Sequence, residues 1–132
     1  MMEPPRYAAA RLFLWATALV FLGFGLWGLL RPAAMVANFG ISLGGADGLT
    51  LIRASYGGFL TGEGLLFAWC ALSAARERFG LVAVVLLIGP ILLSRLLGMT
   101  LDGASSPYHQ SYVAVELIGV GVALFLLRRS EK

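Results

Sequence analysis

The chain has one cysteine, Cys70, and one histidine, His109. A lone cysteine excludes an internal disulfide and any multi-cysteine metal site. Set between Trp69 and Ala71 in an apolar run, it reads as a small packing residue. A lone histidine in a polar stretch reads as a solvated loop residue and leaves zinc or haem without an ordinary ligand set. No metal or cofactor is therefore expected. Ser55 and Ser94 have no histidine base in evident reach, which argues against a serine hydrolase. Charge is scarce as well: 13% of residues are charged and the net charge is only +3. No basic stripe interleaved with aromatics occurs, so nucleic acid is not an expected partner.

What is abundant is apolar surface. Hydrophobic residues make up 59% of the 132 positions, and the mean hydropathy is +0.86. A water-soluble domain of this size has too little interior to hide that much, so the class is integral membrane and the main partner is the lipid bilayer. Four apolar segments succeed one another in a single domain covering 1–132: about 12–30, 49–75, 80–101 and 112–127. Each is long enough to cross a bilayer as an α-helix, which satisfies its own backbone polar groups. The fold class is all-α, a four-helix transmembrane bundle. A cleaved signal peptide is the rival reading of the first segment, but its apolar core would be unusually long and no A-x-A site comes after it. With four spans, Arg6 and Arg11, the link "RERFG" with Arg76 and Arg78, and Arg128, Arg129 and Lys132 share one side. By the positive-inside rule both termini are cytoplasmic.

The glycine motifs are not nucleotide sites: "GFGLWG" lies inside an apolar helix with no strand before it. Gly58 and Gly62 form a G-x-x-x-G pair that suits close helix approach, within the bundle or across a homo-oligomer seam, and Gly57 and Gly98 are expected to serve helix packing with them. "GADG" and "LDGAS" read as turns and caps, with Asp47 a candidate cap for the second segment. Pro90 predicts a kink one turn before Arg95.

Against this background a few charges stand inside the apolar segments. Arg53 lies about one turn inside the outer end of the second segment, and Glu63 about 15 Å deeper. Arg95 lies about 9 Å below the outer end of the third segment, and Glu116 is at similar depth in the fourth. A charge near the bilayer centre costs about 2.5–3.5 kcal/mol even on lenient insertion scales, so these residues are expected to face inward and pair. Side chains lean toward their helix N-terminus, which brings Glu63, Arg95 and Glu116 toward one level. Arg53 leans to the rim beside Asp47 or Asp102. Tyr56 and Glu63, seven apart, share a face; so do Arg95 and Asp102; His109, Tyr112 and Glu116 align if the last helix starts early. The simplest assembly is an outward-facing polar cavity lined by Arg53, Tyr56, Glu63, Arg95, Asp102, Tyr112 and Glu116. It suits a small amphipathic or anionic ligand, with the arginines on the anionic head. Plain structural ion pairing, an accessory role in a larger membrane complex, and a lipid-directed enzyme with Glu63 or Glu116 as acid–base remain open alternatives.

"GADGLTLIRASYGGFLTGEGLLF", "SRLLGMTLDG" and the glutamate of "YVAVELIGV" resemble a bacterial family of small four-helix membrane proteins known only as a domain of unknown function. The likeness runs from about Arg11 to Arg128. It implies a bacterial inner-membrane protein with recurring positions at Arg53, Tyr56, Gly57, Gly58, Arg95, Gly98, Asp102, Gly103 and Glu116, and it implies no activity. A looser likeness, by size and helix count, is to DoxX-like membrane proteins, some of them linked to quinone or thiol redox systems. Cys70 alone lacks the paired thiols for such work.

Overall fold

The computed structural model describes residues 5–130, and every element in it is helical. Lys132, one of the charges used for topology, lies outside the described residues. The elements are α1 (Pro5–Leu30), the short α2 (Pro32–Ala37), α3 (Ala46–Ile52), a wide π-helical segment (Arg53–Gly58), α4 (Phe59–Ala71), α5 (Ala74–Asp102) and α6 (Pro107–Ser130). α1, α5 and α6 are each long and apolar enough to cross a membrane. Their outer surfaces fit that medium, because Leu12, Leu30, Leu86, Leu97, Leu101 and Ile118 all stand exposed.

Residues 46–71 run as one helical rod. Ile52, Arg53, Gly58 and Phe59, at the joins, all keep right-handed helical backbone. The π geometry between them accommodates an extra residue per turn, and the hydroxyl of Thr61 donates 2.7 Å to the Gly57 carbonyl at its end. Thr17, Thr100 and Ser111 donate in the same way to carbonyls four residues back, the usual way a hydroxyl is satisfied among apolar neighbours.

The helix boundaries differ from the sequence reading in instructive places. "RERFG" is not a turn: the chain reverses at Leu72–Ser73, and Arg76 to Gly80 already belong to α5. The loop between α5 and α6 is shorter than expected. Gly103, at φ 68°, ends α5 in the left-handed conformation that glycine adopts without steric cost, and Pro107 opens α6 with its ring at a position needing no N–H. α6 therefore takes in His109. Asp47 does not cap: the cap position is Gly45, and Asp47 lies in the first turn of α3, where its charge favours the helix dipole.

Two helix pairs make up the fold. α1 packs along the π-helical segment and α4, and α5 packs along α6. The first seam is glycine-made. A Cβ at Gly25 would lie 2.6 Å from the Thr61 nitrogen, one at Gly28 2.9 Å from the Gly57 nitrogen, and one at Gly64 2.8 Å from the Leu22 nitrogen. Of the four glycines expected to pack, Gly57, Gly58, Gly62 and Gly98, Gly57 alone stands in a tight seam. Gly62 faces open space, and a Cβ at Gly58 or Gly98 would make ordinary contacts only, whereas Gly57 is buried against Leu29. Toward the other end of the bundle, Leu14, Ala18, Phe67, Cys70, Leu81, Val84 and Ala123 close a dry core. The Phe21 and Phe67 rings meet edge-on at 5.4 Å, which favours the pair beyond its buried area.

Matched glycine substitutions test the seam. Gly25→Ala is expected to cost about 1–3 kcal/mol, because the clash is with backbone that has nowhere to move. Gly23→Ala, two residues away in open space, should be neutral or stabilising by about 0.5 kcal/mol. Thermal unfolding in detergent, tracked by helical circular dichroism, separates the two.

Candidate functional site

The α5–α6 pair carries the polar centre. α5 presents Arg95 and α6 presents Glu116, with side chains 19% and 11% exposed. The guanidinium donates through Nε to both carboxylate oxygens, at 3.1 and 3.0 Å, and through Nη2 to Oε1 at 2.7 Å. This side-on, multi-bonded geometry is the strong form of the arginine–carboxylate pair. The remaining amino group, Nη1, points at Nδ1 of His109, 3.3 Å away. Arginine can only donate, so in this contact Nδ1 is the acceptor. The Arg95 guanidinium also lies 4.9 Å from the centre of the Tyr112 ring. Tyr112 in turn packs on Phe24 of α1 and on Phe39, at 5.9 and 6.0 Å, and Phe39 also meets His109 at 5.3 Å. The N-terminal end of α6 is thereby tied to α1 by rings.

Beside this network an open pocket of about 340 Å³ lies between the C-terminal end of α5 and the start of α6. Arg95, Asp102, His109 and Ser94 give it polar atoms, and Ile91, Met99 and Ala104 give it apolar walls. Of the seven expected cavity residues, Arg95, Glu116, Tyr112 and Asp102 thus gather at one place. The other three do not join them.

Arg53 turns away from both Asp47 and Asp102. Its Nε donates 3.0 Å to the carbonyl of Leu29, one of the acceptors left over at the C-terminus of α1. Tyr56 is 45% exposed, whereas Glu63 is only 5% exposed. The π-helical segment explains the split: its extra residue rotates the rest of the rod by about 100°, so a spacing of seven no longer means a shared face. Glu63 lies on the inward side of α4 with Gly64 and Phe67, and neither carboxyl oxygen has a hydrogen-bond partner. His109 belongs to the site although the sequence places it in a loop, where a side chain has no fixed direction. The signal for it is the Ser-Pro at 106–107, a helix start that puts His109 on α6.

A second polar centre sits at the opposite end of the fold. Glu77 is buried in the first turn of α5, 3.9 Å from Nε of Arg11, which also donates 3.2 Å to the Ala71 carbonyl at the end of α4. Arg76 lies over the Trp69 ring at 4.2 Å. Among the described residues no cluster of histidine, cysteine or carboxylate side chains is arranged to hold a metal ion.

An all-helical chain, with three helices apolar enough to cross a bilayer and a charged pair between two of them, defines a class: small membrane-type helical proteins with an internal polar site. Residues 9–127 match the family model DUF4345, described as a domain of unknown function, and the chain belongs to that family. No curated protein and no solved structure matches it.

The Arg95–Glu116 pair can be weighed by a double-mutant cycle. Arg95→Met or Glu116→Gln alone is expected to cost about 2–4 kcal/mol, since each strands its partner, and the double variant should cost well under the sum. Glu63 should behave oppositely. Glu63→Met removes a buried carboxyl that makes no hydrogen bond and should raise stability by about 1–3 kcal/mol. Denaturant or thermal unfolding in one detergent measures all four variants.

Proposed function

We propose that this protein is a four-span membrane protein that binds a small amphipathic molecule in the pocket between the outer ends of α5 and α6. The fourth span is the rod at residues 46–71, whose helical backbone is unbroken through its π-helical segment. It packs along α1 through both that segment and α4. On this reading Arg11, Arg76, Arg78, Arg128 and Arg129 gather at the end opposite the pocket. The positive-inside rule makes that end cytoplasmic, so the pocket opens outward from a bacterial inner membrane.

One observation carries the ligand reading. A pocket open to the surroundings combines a few polar groups, Arg95, Asp102, His109 and Ser94, with the apolar side chains of Ile91, Met99 and Ala104, and its arginine is held by Glu116. Sites for small molecules combine these elements: a mostly apolar lining and a few fixed polar groups. A structural ion pair would not need the open volume beside it.

Two measurements test the two halves. Native mass spectrometry with lipid extraction should find a defined molecule on the wild-type protein that is lost in Gly98→Leu, which fills the pocket; an unliganded wild type would leave the pair structural. For topology, a cysteine at Ser105 should react with a membrane-impermeant maleimide on intact cells, and one at Ser130 only after permeabilisation. The reverse pattern would invert the orientation. Native Cys70 is buried and should stay silent.

A further inference from the structure

The charges around the pocket do not balance, and the imbalance specifies its ligand. Arg95 is neutralised by Glu116, and its remaining amino group is turned to His109. Arg53, the second arginine from which an anion site would be built, is bonded to the Leu29 carbonyl at the end of α1. What is left is Asp102, which lines the pocket and makes no hydrogen bond or ion pair with any described residue. Asp102 is moreover the last residue of α5. The carbonyls at a helix C-terminus carry the negative half of the helix dipole, and that end is ordinarily matched by lysine or arginine. The last turn of α5 holds no basic residue. Asp102 and Met99, both in the last turn of α5, thus line the same open volume, and neither that turn nor an ion pair among the described residues supplies a cation there.

We propose that the pocket takes the ammonium head of an alkyl amphiphile, with the head between Asp102 and the carbonyl end of α5 and the chain along Ile91 and Met99. The proposal rests on the ligand-pocket reading above and specifies its chemistry. The volume of about 340 Å³ has room for roughly ten water-sized groups, enough for an amine and the first part of an alkyl chain. A head group bearing only a carboxylate or phosphate would meet Asp102 with like charge and find no unpaired arginine beside it. The same ammonium chemistry arises in an aminophospholipid and in a free alkylamine.

Decylammonium, decanoate and decan-1-ol, three probes alike except in head group, can be titrated against the full-length protein in nanodiscs of dioleoylphosphatidylcholine. Wild type should bind decylammonium at least about tenfold more tightly than the other two, the size expected of one well-placed charge contact. Asp102→Asn should bring the ammonium down to the level of the alcohol, leaving the alcohol and the thermal midpoint unchanged, and Asp102→Glu should keep the preference. Equal affinities for all three probes, or preference for decanoate, would overturn the head-group assignment. Loss of that binding in Gly98→Leu would still uphold the pocket. Absence of binding by any probe, or binding indifferent to Gly98→Leu, would overturn the pocket itself. If Gly98→Leu does not fold, Met99→Trp fills the same space. Competition by added dioleoylphosphatidylethanolamine would identify a lipid head as the source, and its failure to compete a free amine.

Discussion

Gly25 and Gly28 of α1 let its backbone come within touching distance of Gly57 and Thr61, and much else in the molecule depends on that approach. In an apolar medium there is little hydrophobic drive between helices, so close backbone packing must supply the cohesion. Two backbones that close leave room only for small or apolar side chains between them, those of Thr61, Leu29 and Leu22. The larger polar side chains of the rod at 46–71 lie elsewhere, Arg53 at the end of α1, Tyr56 exposed and Glu63 buried on α4, while Thr61 stays in the seam with its hydroxyl turned back to the Gly57 carbonyl. The charged pair is accommodated instead on the second helix pair, where Arg95 of α5 meets Glu116 of α6.

The arginines divide by the same logic. Arg11 and Arg53 each reach a carbonyl at the end of a neighbouring helix, Ala71 and Leu29, and supply a donor where the helix itself has run out of N–H groups. Arg95 is held mid-helix by a carboxylate. Counting arginines along the sequence suggests a doubly cationic cavity; tracing where each donor goes leaves one compensated cation and one uncompensated aspartate. Pocket chemistry is set by that remainder.

The helical class, the apolar segments and the Arg95–Glu116 encounter were legible in the sequence because each depends on local rules: segment length, hydropathy, and the lean of a side chain along a regular helix. What could not be read depends on departures from regularity. Nothing in "RASYGG" announces a π-helical turn, and that turn separates Tyr56 from Glu63. Glu77 hides in a link rich in charge, where its burial depends on α4 ending four residues early. Gly58 and Gly62 match a packing motif, yet it is Gly57, also expected to pack, and Gly64, not expected to, that do the packing, since which side of a helix meets its neighbour is decided by the partner and not by the spacing.

Arg95 and Glu116 also bear on how such a chain enters a bilayer. They are on consecutive helices joined by a loop of only a few residues, from Gly103 to Ser106. Each alone would burden its own segment with the insertion cost of a charge. Paired as a hairpin, the two segments would present a bilayer with a dipole in place of two ions. The short loop with its left-handed glycine thereby keeps each charge within reach of its counter-charge.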